Sequence, residues 1–246
     1  PGSRVKVSVP YEPTPEELKD PEHIVVQYVD ADGKRISAPS GKYDAAKGAV
    51  GFSAKSFGEY VITYVKKTFK DISGFEWAKK EIEVLASKGI TGPDRYSPGE
   101  DMTRGDFILL LVKTLGLEAE TDENFNDIKP GDYYAEAAAT AKKLGIASGT
   151  GNGRFSPAEG ISRQDAMTLA AKAMKAAGIL GTTDLSDNLG RFTDKGLISN
   201  YALDSVSQLA GLGIVTGDGN RINPRDHARR AEIAVMMYRI YKLDEE

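Results

Sequence analysis

The chain has 246 residues, of which 40% are hydrophobic and 28% are charged, and its formal net charge is −4. These fractions are typical of a globular protein that buries a core, and the slight negative charge disfavours a nucleic-acid-binding protein, which needs a basic face for phosphates. The absence of cysteine excludes disulfides, thiolate metal sites and a cysteine nucleophile. No run of about 18 apolar residues occurs, so no membrane span is expected. The sequence opens without a charged and apolar leader, which fits a fragment of a larger protein.

Residues 1–66 are predicted to form a small antiparallel β domain. Short runs of β-branched and aromatic residues alternate there with turn residues, as strands and turns do in such sheets. The runs occupy residues 5–9, 24–29, 49–52 and 60–65. The dipeptides Asp32-Gly33 and Ser40-Gly41 are the best candidates for chain reversals.

After this domain, one sequence unit occurs three times. Each copy opens with an aromatic residue, any residue and an aspartate, continues with an amphipathic run that closes at Gly-Ile, and then has a proline six residues before an arginine. The three aspartates are Asp71, Asp127 and Asp194, and the three arginines are Arg104, Arg163 and Arg230. We therefore predict repeats at residues 67–118, 119–182 and 183–246, the third with a surface loop inserted near residues 178–190.

Each repeat is predicted to be a pair of helices. In the first copy, apolar residues recur at intervals of three to five from Trp77 to Ala86, the period of a helix that packs on one face. A second helix is predicted to begin at Thr103, with counterparts at residues 162–178 and 230–243. Because so short a pair cannot bury its apolar face alone, we predict a mostly α protein: a pseudo-threefold bundle of three helix pairs, preceded by the small antiparallel β domain.

The second helices begin with a pattern suited to an anion. Thr103 can cap the first of them through its side-chain oxygen, and Asp106 can reach back to the first turn. Arg104 would then stand where unpaired N–H groups and the helix dipole favour an anion, and its fork can hold a carboxylate. Ser162, Arg163 and Asp165 repeat the pattern, and in the third copy Arg229 takes the capping position before Arg230 and Glu232.

The repeated unit resembles the S-layer homology (SLH) family. The resemblance covers roughly residues 69–243 and rests on the opening F-x-D, the W-A helix, the G-I-x-x-G turn and the proline that leads to T-R-A-E. It implies an extracellular module that anchors a surface protein to the cell wall. The implied ligand is a secondary cell-wall polysaccharide linked to peptidoglycan, commonly with a pyruvate ketal on a terminal N-acetylmannosamine.

The resemblance also implies the residues that contact this ligand. The arginines would hold the pyruvyl carboxylate, glycines after the Gly-Ile turns would admit the sugar to the main chain, and aromatic residues of the first helices would be stacking walls. The glycines are Gly92, Gly149 and Gly217, and the aromatic residues are Trp77, Tyr134 and Tyr201. The second copy, with Gly149, Ser162, Arg163 and Asp165, departs least from the family pattern. It is therefore predicted to hold the intact site, and the sequence leaves open which neighbouring copy completes its groove.

Other interpretations of these residues remain open. The Thr103/Asp106 and Ser162/Asp165 pairs could be plain helix caps, the glycines plain turn residues, the aromatic residues part of the core, and the arginines ion-pair partners. The aspartates of the F-x-D motifs are expected to cap the turn before each first helix. The bundle would then be a protein-interaction module, for lateral assembly of an S-layer or for holding a neighbouring domain.

A catalytic function is not predicted. The chain has two histidines, no G-x-S-x-G and no cysteine, so arrangements of nucleophile and base lack parts. The segment 30–33, Asp-Ala-Asp-Gly, is similar to a calcium loop, but the bidentate glutamate that such loops need is missing. No catalytic residue, metal ligand or cofactor is therefore assigned.

Overall fold

The computed structural model describes residues 5–54, 56–91, 95–181 and 188–243. Gly92 and part of the loop near 178–190 lie outside these residues. The chain divides into two compact units, Pro1–Ser97 and Pro98–Glu246. Of the described residues, 37% are helical and 18% are in strands or isolated β-bridges, which agrees with a β region before the repeats but does not confirm a mostly α chain.

The strands found among the described residues of the first unit form two antiparallel sheets. One sheet has the order β1-β5-β4 and the other β3-β2-β6. Alternate residues of a strand face one side, and Ile24, Val26, Val50 and Phe52 thereby form the buried core of this region. Asp32-Gly33 makes the predicted reversal between β2 and β3, with Gly33 at a φ of 78°. The strands are β1 (Val5–Pro10), β2 (Ile24–Val29), β3 (Arg35–Ala38), β4 (Lys42–Asp44), β5 (Ala49–Ala54) and β6 (Glu59–Tyr64).

A buried lysine attaches the first helix of the repeats to the β domain. Helix α1 (Lys79–Ser87) is followed directly by Lys88, whose side chain is fully buried. Its Nζ donates to the Ile24 carbonyl at 2.6 Å and to the Gly41 carbonyl at 2.7 Å. Because an ammonium group that leaves water needs strong hydrogen-bond partners, these two carbonyls hold α1 and the sheets in one unit.

Within the second unit, helices α2 and α4 begin at the residues expected. The side-chain oxygens of Thr103 and Ser162 accept from the backbone N–H groups of Asp106 and Asp165 at 3.1 and 3.2 Å, which confirms both predicted caps. Four of the helices described in this unit, those that end at Thr114, Lys143, Ala176 and Gly211, are each followed two residues later by a glycine with positive φ, as C-terminal caps require. The α-helices described in this unit are α2 (Arg104–Thr114), α3 (Ala135–Lys143), α4 (Arg163–Ala176), α5 (Leu203–Gly211) and α6 (Arg230–Leu243).

Three backbone hydrogen bonds close a ring at the starts of the second helices. The N–H of Met102 donates to the Ala228 carbonyl at 2.8 Å, that of Ala228 to the Ile161 carbonyl at 2.9 Å, and that of Ile161 to the Met102 carbonyl at 2.9 Å. All three residues are buried, and each stands two positions before the arginine of its copy. The ring therefore brings the N-termini of α2, α4 and α6 together.

Candidate functional site

The aspartate of each F-x-D motif binds the turn before the second helix of its own copy. Its carboxylate accepts from two consecutive backbone N–H groups, and the second residue of each pair has a positive φ of 52–56°, which is unusual for a residue with a side chain. The aspartates thus stabilise a strained turn rather than the turn before the first helix. The pairs are Tyr96 and Ser97 for Asp71, Phe155 and Ser156 for Asp127, and Ile222 and Asn223 for Asp194.

This arrangement predicts that acid weakens the fold. Burial tends to raise the pKa of Asp127, but hydrogen bonds from Phe155 and Ser156 outweigh it and hold the pKa below its ordinary value. A carboxyl with a lowered folded-state pKa stabilises the fold above about pH 4 and loses that contribution as the pH falls through the folded-state pKa. Asp127→Asn keeps one acceptor oxygen and should cost about 1–2 kcal/mol in urea unfolding at pH 7. The difference from the parent protein should shrink towards pH 3; a constant difference would contradict a role for the charge.

The backbone N–H groups at the starts of the second helices are already satisfied. In α2, the N–H groups of Arg104 and Gly105 donate to the carbonyls of Glu159 and Pro157, each at 2.9 Å. The prediction that unpaired N–H groups await an anion is therefore wrong, and the arginine side chains remain for that role. The equivalent bonds run from Arg163 to Asp226, from Gln164 to Pro224, from Arg230 to Glu100 and from Ala231 to Pro98.

Two arginine side chains are oriented by the turn of the following copy. The Nε–H of Arg104 donates to the Phe155 carbonyl at 2.9 Å, and its guanidinium lies 5.0 Å from the centre of the Phe155 ring. Arg163 makes the equivalent bond to the Ile222 carbonyl at 2.7 Å. Since Nε is used in this way, the terminal Nη groups are left for an acidic partner.

Each arginine faces the helix-start acid of another copy, in cyclic order. Arg163 Nη1 lies 2.5 Å from Glu232 Oε1, and Arg230 Nη1 lies 2.7 Å from Asp106 Oδ2. The third pair is looser, because 3.9 Å separates Arg104 Nη1 from Asp165 Oδ2. That distance is too long for a hydrogen bond, although only 8% of Arg104 is exposed.

A cleft of about 390 Å³ lies beside the loosely paired Arg104. It combines residues of all three copies: Arg104 from the first, Gly149 and Asp165 from the second, and Tyr201 from the third. The arginine that lines the cleft with Gly149 is thus Arg104 of the preceding copy, and not Arg163 of the same copy. Further lining residues, which the sequence interpretation missed, are Ala147, Ser148, Thr150, Thr168, Leu169 and Lys172.

Tyr201 forms one wall of this cleft. Its hydroxyl donates to Asp165 Oδ1 at 2.6 Å, and partial burial together with that bond raises the pKa of Tyr201 to about 12. Tyr201 is 58% exposed, and in the first unit Trp77 is 56% exposed, so neither is a core residue. Tyr134 is half-buried, and the neighbouring Tyr133 makes the bond to Asp106 instead, at 2.5 Å.

The candidate glycines that the structure describes are required by their turns. Gly149 has a φ of 83°, and an added Cβ would lie 2.3 Å from the Arg154 carbonyl oxygen. Gly217 has a φ of 72°, and an added Cβ would lie 2.4 Å from the Arg221 carbonyl oxygen. Gly149 also lines the cleft, so its backbone is open to a molecule bound beside Arg104.

The repeated helix starts, the ring and the cleft define a protein built from tandem copies of one helix pair. The model of the S-layer homology domain matches residues 68–108, 124–167 and 191–234, just over half of the chain. The chain therefore belongs to the S-layer homology family, as the resemblance implied. Domains of this family are cell-surface anchoring modules that bind cell-wall polymers.

Relatives include S-layer proteins and polysaccharide-degrading enzymes. The chain is 37% identical to an amylopullulanase of Thermoanaerobacterium thermosulfurigenes over 89% of its own length, and 35% identical to the exoglucanase XynX of Acetivibrio thermocellus over 70%. It is 30% identical to the S-layer protein sap of Bacillus anthracis over 68%. It spans only 12%, 16% and 20% of these three proteins. The predicted cell-surface location is confirmed, and none of the described helices combines the length and apolar character of a membrane span.

Proposed function

We propose that this chain anchors a surface protein noncovalently to the cell wall by binding a carboxylate-bearing secondary cell-wall polysaccharide in the Arg104 cleft. The ligand is a glycan with a pyruvate ketal on a terminal N-acetylmannosamine. The observation that carries the proposal is the cleft itself, where a buried arginine stands beside about 390 Å³ of open space with its nearest paired carboxylate at 3.9 Å.

Charge is the first reason for this choice of ligand. A guanidinium that is 8% exposed has lost most of its hydration, so it gains from a carboxylate that reaches hydrogen-bond distance. Asp165 does not reach that distance. A pyruvyl carboxylate that enters the cleft would bind the Nη groups of Arg104, while Lys172 adds a second cation along the wall.

The residues that line the cleft are the second reason, because they suit a pyranose ring. The exposed ring of Tyr201 offers a flat apolar face, and the turn at Gly149 lets a pyranose approach the backbone closely. Ser148 and Thr150 supply hydroxyl groups along the same wall. The cleft volume lies at the lower end of the range usual for small-ligand sites, which matches one sugar residue with its ketal.

The same geometry supports a pseudo-threefold arrangement of the helix pairs. The ring of Met102, Ile161 and Ala228 relates the three copies by equivalent bonds, and the ion pairs follow the same cyclic order. Such an arrangement places one potential groove at each copy boundary. We propose it as the organisation of residues 67–246, with the repeat boundaries at 118 and 182 as the sequence predicts.

A protein-interaction module is the second candidate. The tight pairing of Arg163 with Glu232 and of Arg230 with Asp106 favours it, since arginines that only hold the fold together need no glycan. This function would serve lateral assembly of an S-layer or hold a neighbouring domain, and it involves no catalysis.

Titration calorimetry separates the two functions. The whole chain is titrated with a pyruvylated N-acetylmannosamine glycoside and, as the matched control, with the same sugar without pyruvate. We expect heat with the first sugar and none with the second, because the pyruvyl carboxylate provides the negative charge at hydrogen-bond distance that Asp165 does not provide to Arg104. No heat with either sugar, in protein shown to be folded by circular dichroism, would contradict the glycan anchor and favour the interaction module.

A further inference from the structure

The three arginines differ in how tightly the protein's own carboxylates neutralise them. Glu232 and Asp106 lie 2.5 and 2.7 Å from their arginines, whereas Asp165 lies 3.9 Å from Arg104. A guanidinium binds a carboxylate through its Nη groups. A protein carboxylate at hydrogen-bond distance therefore competes with a ligand carboxylate for these groups and already neutralises their charge.

Glu232 is held in this position from two sides. Its Oε1 accepts from Arg163 at 2.5 Å, and its Oε2 accepts from the backbone N–H of Arg229 at 2.8 Å. The second bond is the reach-back contact of a helix cap, so the carboxylate is fixed before it meets the arginine. A ligand at Arg163 would have to displace a preorganised anion.

Asp106 is held in a similar way. One of its oxygens accepts from Tyr133 at 2.5 Å and the other from Arg230 at 2.7 Å. At the third boundary, the short hydrogen bond of Asp165 is made with Tyr201, at 2.6 Å, and its distance to Arg104 stays long. Among the described residues, Arg104 is thus the helix-start arginine whose positive charge is least neutralised by a carboxylate of the protein.

We infer that Glu232 and Asp106 are resident anions that block Arg163 and Arg230, so that each chain binds one ligand carboxylate, at Arg104. This inference rests on the proposed function of the Arg104 cleft. It assigns to these two acids a role in limiting the number of glycan ends that one chain can hold. It also implies that a second site can be exposed by removing one negative charge.

Glu232→Gln is the variant that tests this. The amide oxygen of glutamine can still accept from the Arg229 N–H, so the cap is kept, while the charge that neutralises Arg163 is lost. In calorimetry with the pyruvylated N-acetylmannosamine glycoside, we expect one ligand per chain for the parent protein and two for the variant. Glu123→Gln, which removes an exposed acid to which no role in the site is assigned, is the matched control and should leave the number at one. A single site in Glu232→Gln, or several sites in the parent protein, would overturn the inference.

A second measurement separates this inference from the proposed function. If the glycoside gives no heat with the parent protein, the glycan anchor fails, but the block at Arg163 can still be examined with sodium pyruvate. In ¹H–¹⁵N NMR spectra, the Nε–H signal of Arg163 should shift on addition of pyruvate in Glu232→Gln and stay in place in the parent protein. Equal behaviour of the two proteins would overturn the inference.

Discussion

Replacing Arg104 by glutamine is expected to weaken binding of the pyruvylated N-acetylmannosamine glycoside by about 100-fold, since hydrogen bonds to a charged group contribute about 1.5–3 kcal/mol. Glutamine removes the cation and the fork that would bind the carboxylate. Calorimetry with the whole chain measures the loss. Arg104→Lys should recover part of the affinity, because it restores the charge without the bidentate geometry.

Arg163→Gln is the matched control, because Arg163 has the same place at its helix start and donates to the Ile222 carbonyl as Arg104 does to that of Phe155. It should keep the glycoside affinity within about threefold, since Glu232 already neutralises Arg163. The substitution leaves Glu232 without this arginine, and an acidic side chain does not attract the ligand carboxylate. Equal losses in the two variants would mean that both act through the fold and would remove Arg104 from the site.

The local parts of this site could be predicted from the sequence. Capping by Thr103 and Ser162 depends on residues three positions apart, and such short-range contacts follow from helix geometry. The repeated spacing of proline and arginine likewise located the helix starts. The glycines of the Gly-Ile closures could also be predicted, because the positive φ that they adopt at the end of a helix is a local requirement.

The contacts between copies could not be predicted in this way. Whether the N–H groups of Arg104 and Gly105 are unpaired depends on carbonyls more than 50 residues away, and no periodic pattern encodes that distance. The cleft shows the same limit, since Gly149 stands with the arginine of another copy. Tyr133 was missed because sequence alignment of the copies selects Tyr134, whereas the side chain that reaches Asp106 is its neighbour.

The β strands show a related limit. Strands β2 and β5 could be predicted from the sequence because their residues are largely apolar, and alternate residues of the two strands form the core. Strands β3 and β4 have four and three residues and few apolar side chains, so their sequence carries little strand signal. They are strands because β2 and β5 offer edges to pair with.

Lys88→Met is expected to destabilise the first unit by about 2–5 kcal/mol, because methionine fills the space of the lysine stem but removes the two hydrogen bonds that Lys88 donates to the Ile24 and Gly41 carbonyls. The change in the free energy of unfolding is measured on the whole chain, by amide hydrogen exchange in strand β2 and by urea unfolding. Lys80→Met is the matched control: Lys80 pairs with Glu22 at 2.6 Å, but its side chain is 63% exposed, so its loss should cost less than about 1 kcal/mol. Equal effects of the two substitutions would contradict the role given to Lys88. A much larger effect of Lys88→Met would mean that one buried charge fixes the first helix of the repeats to the β domain.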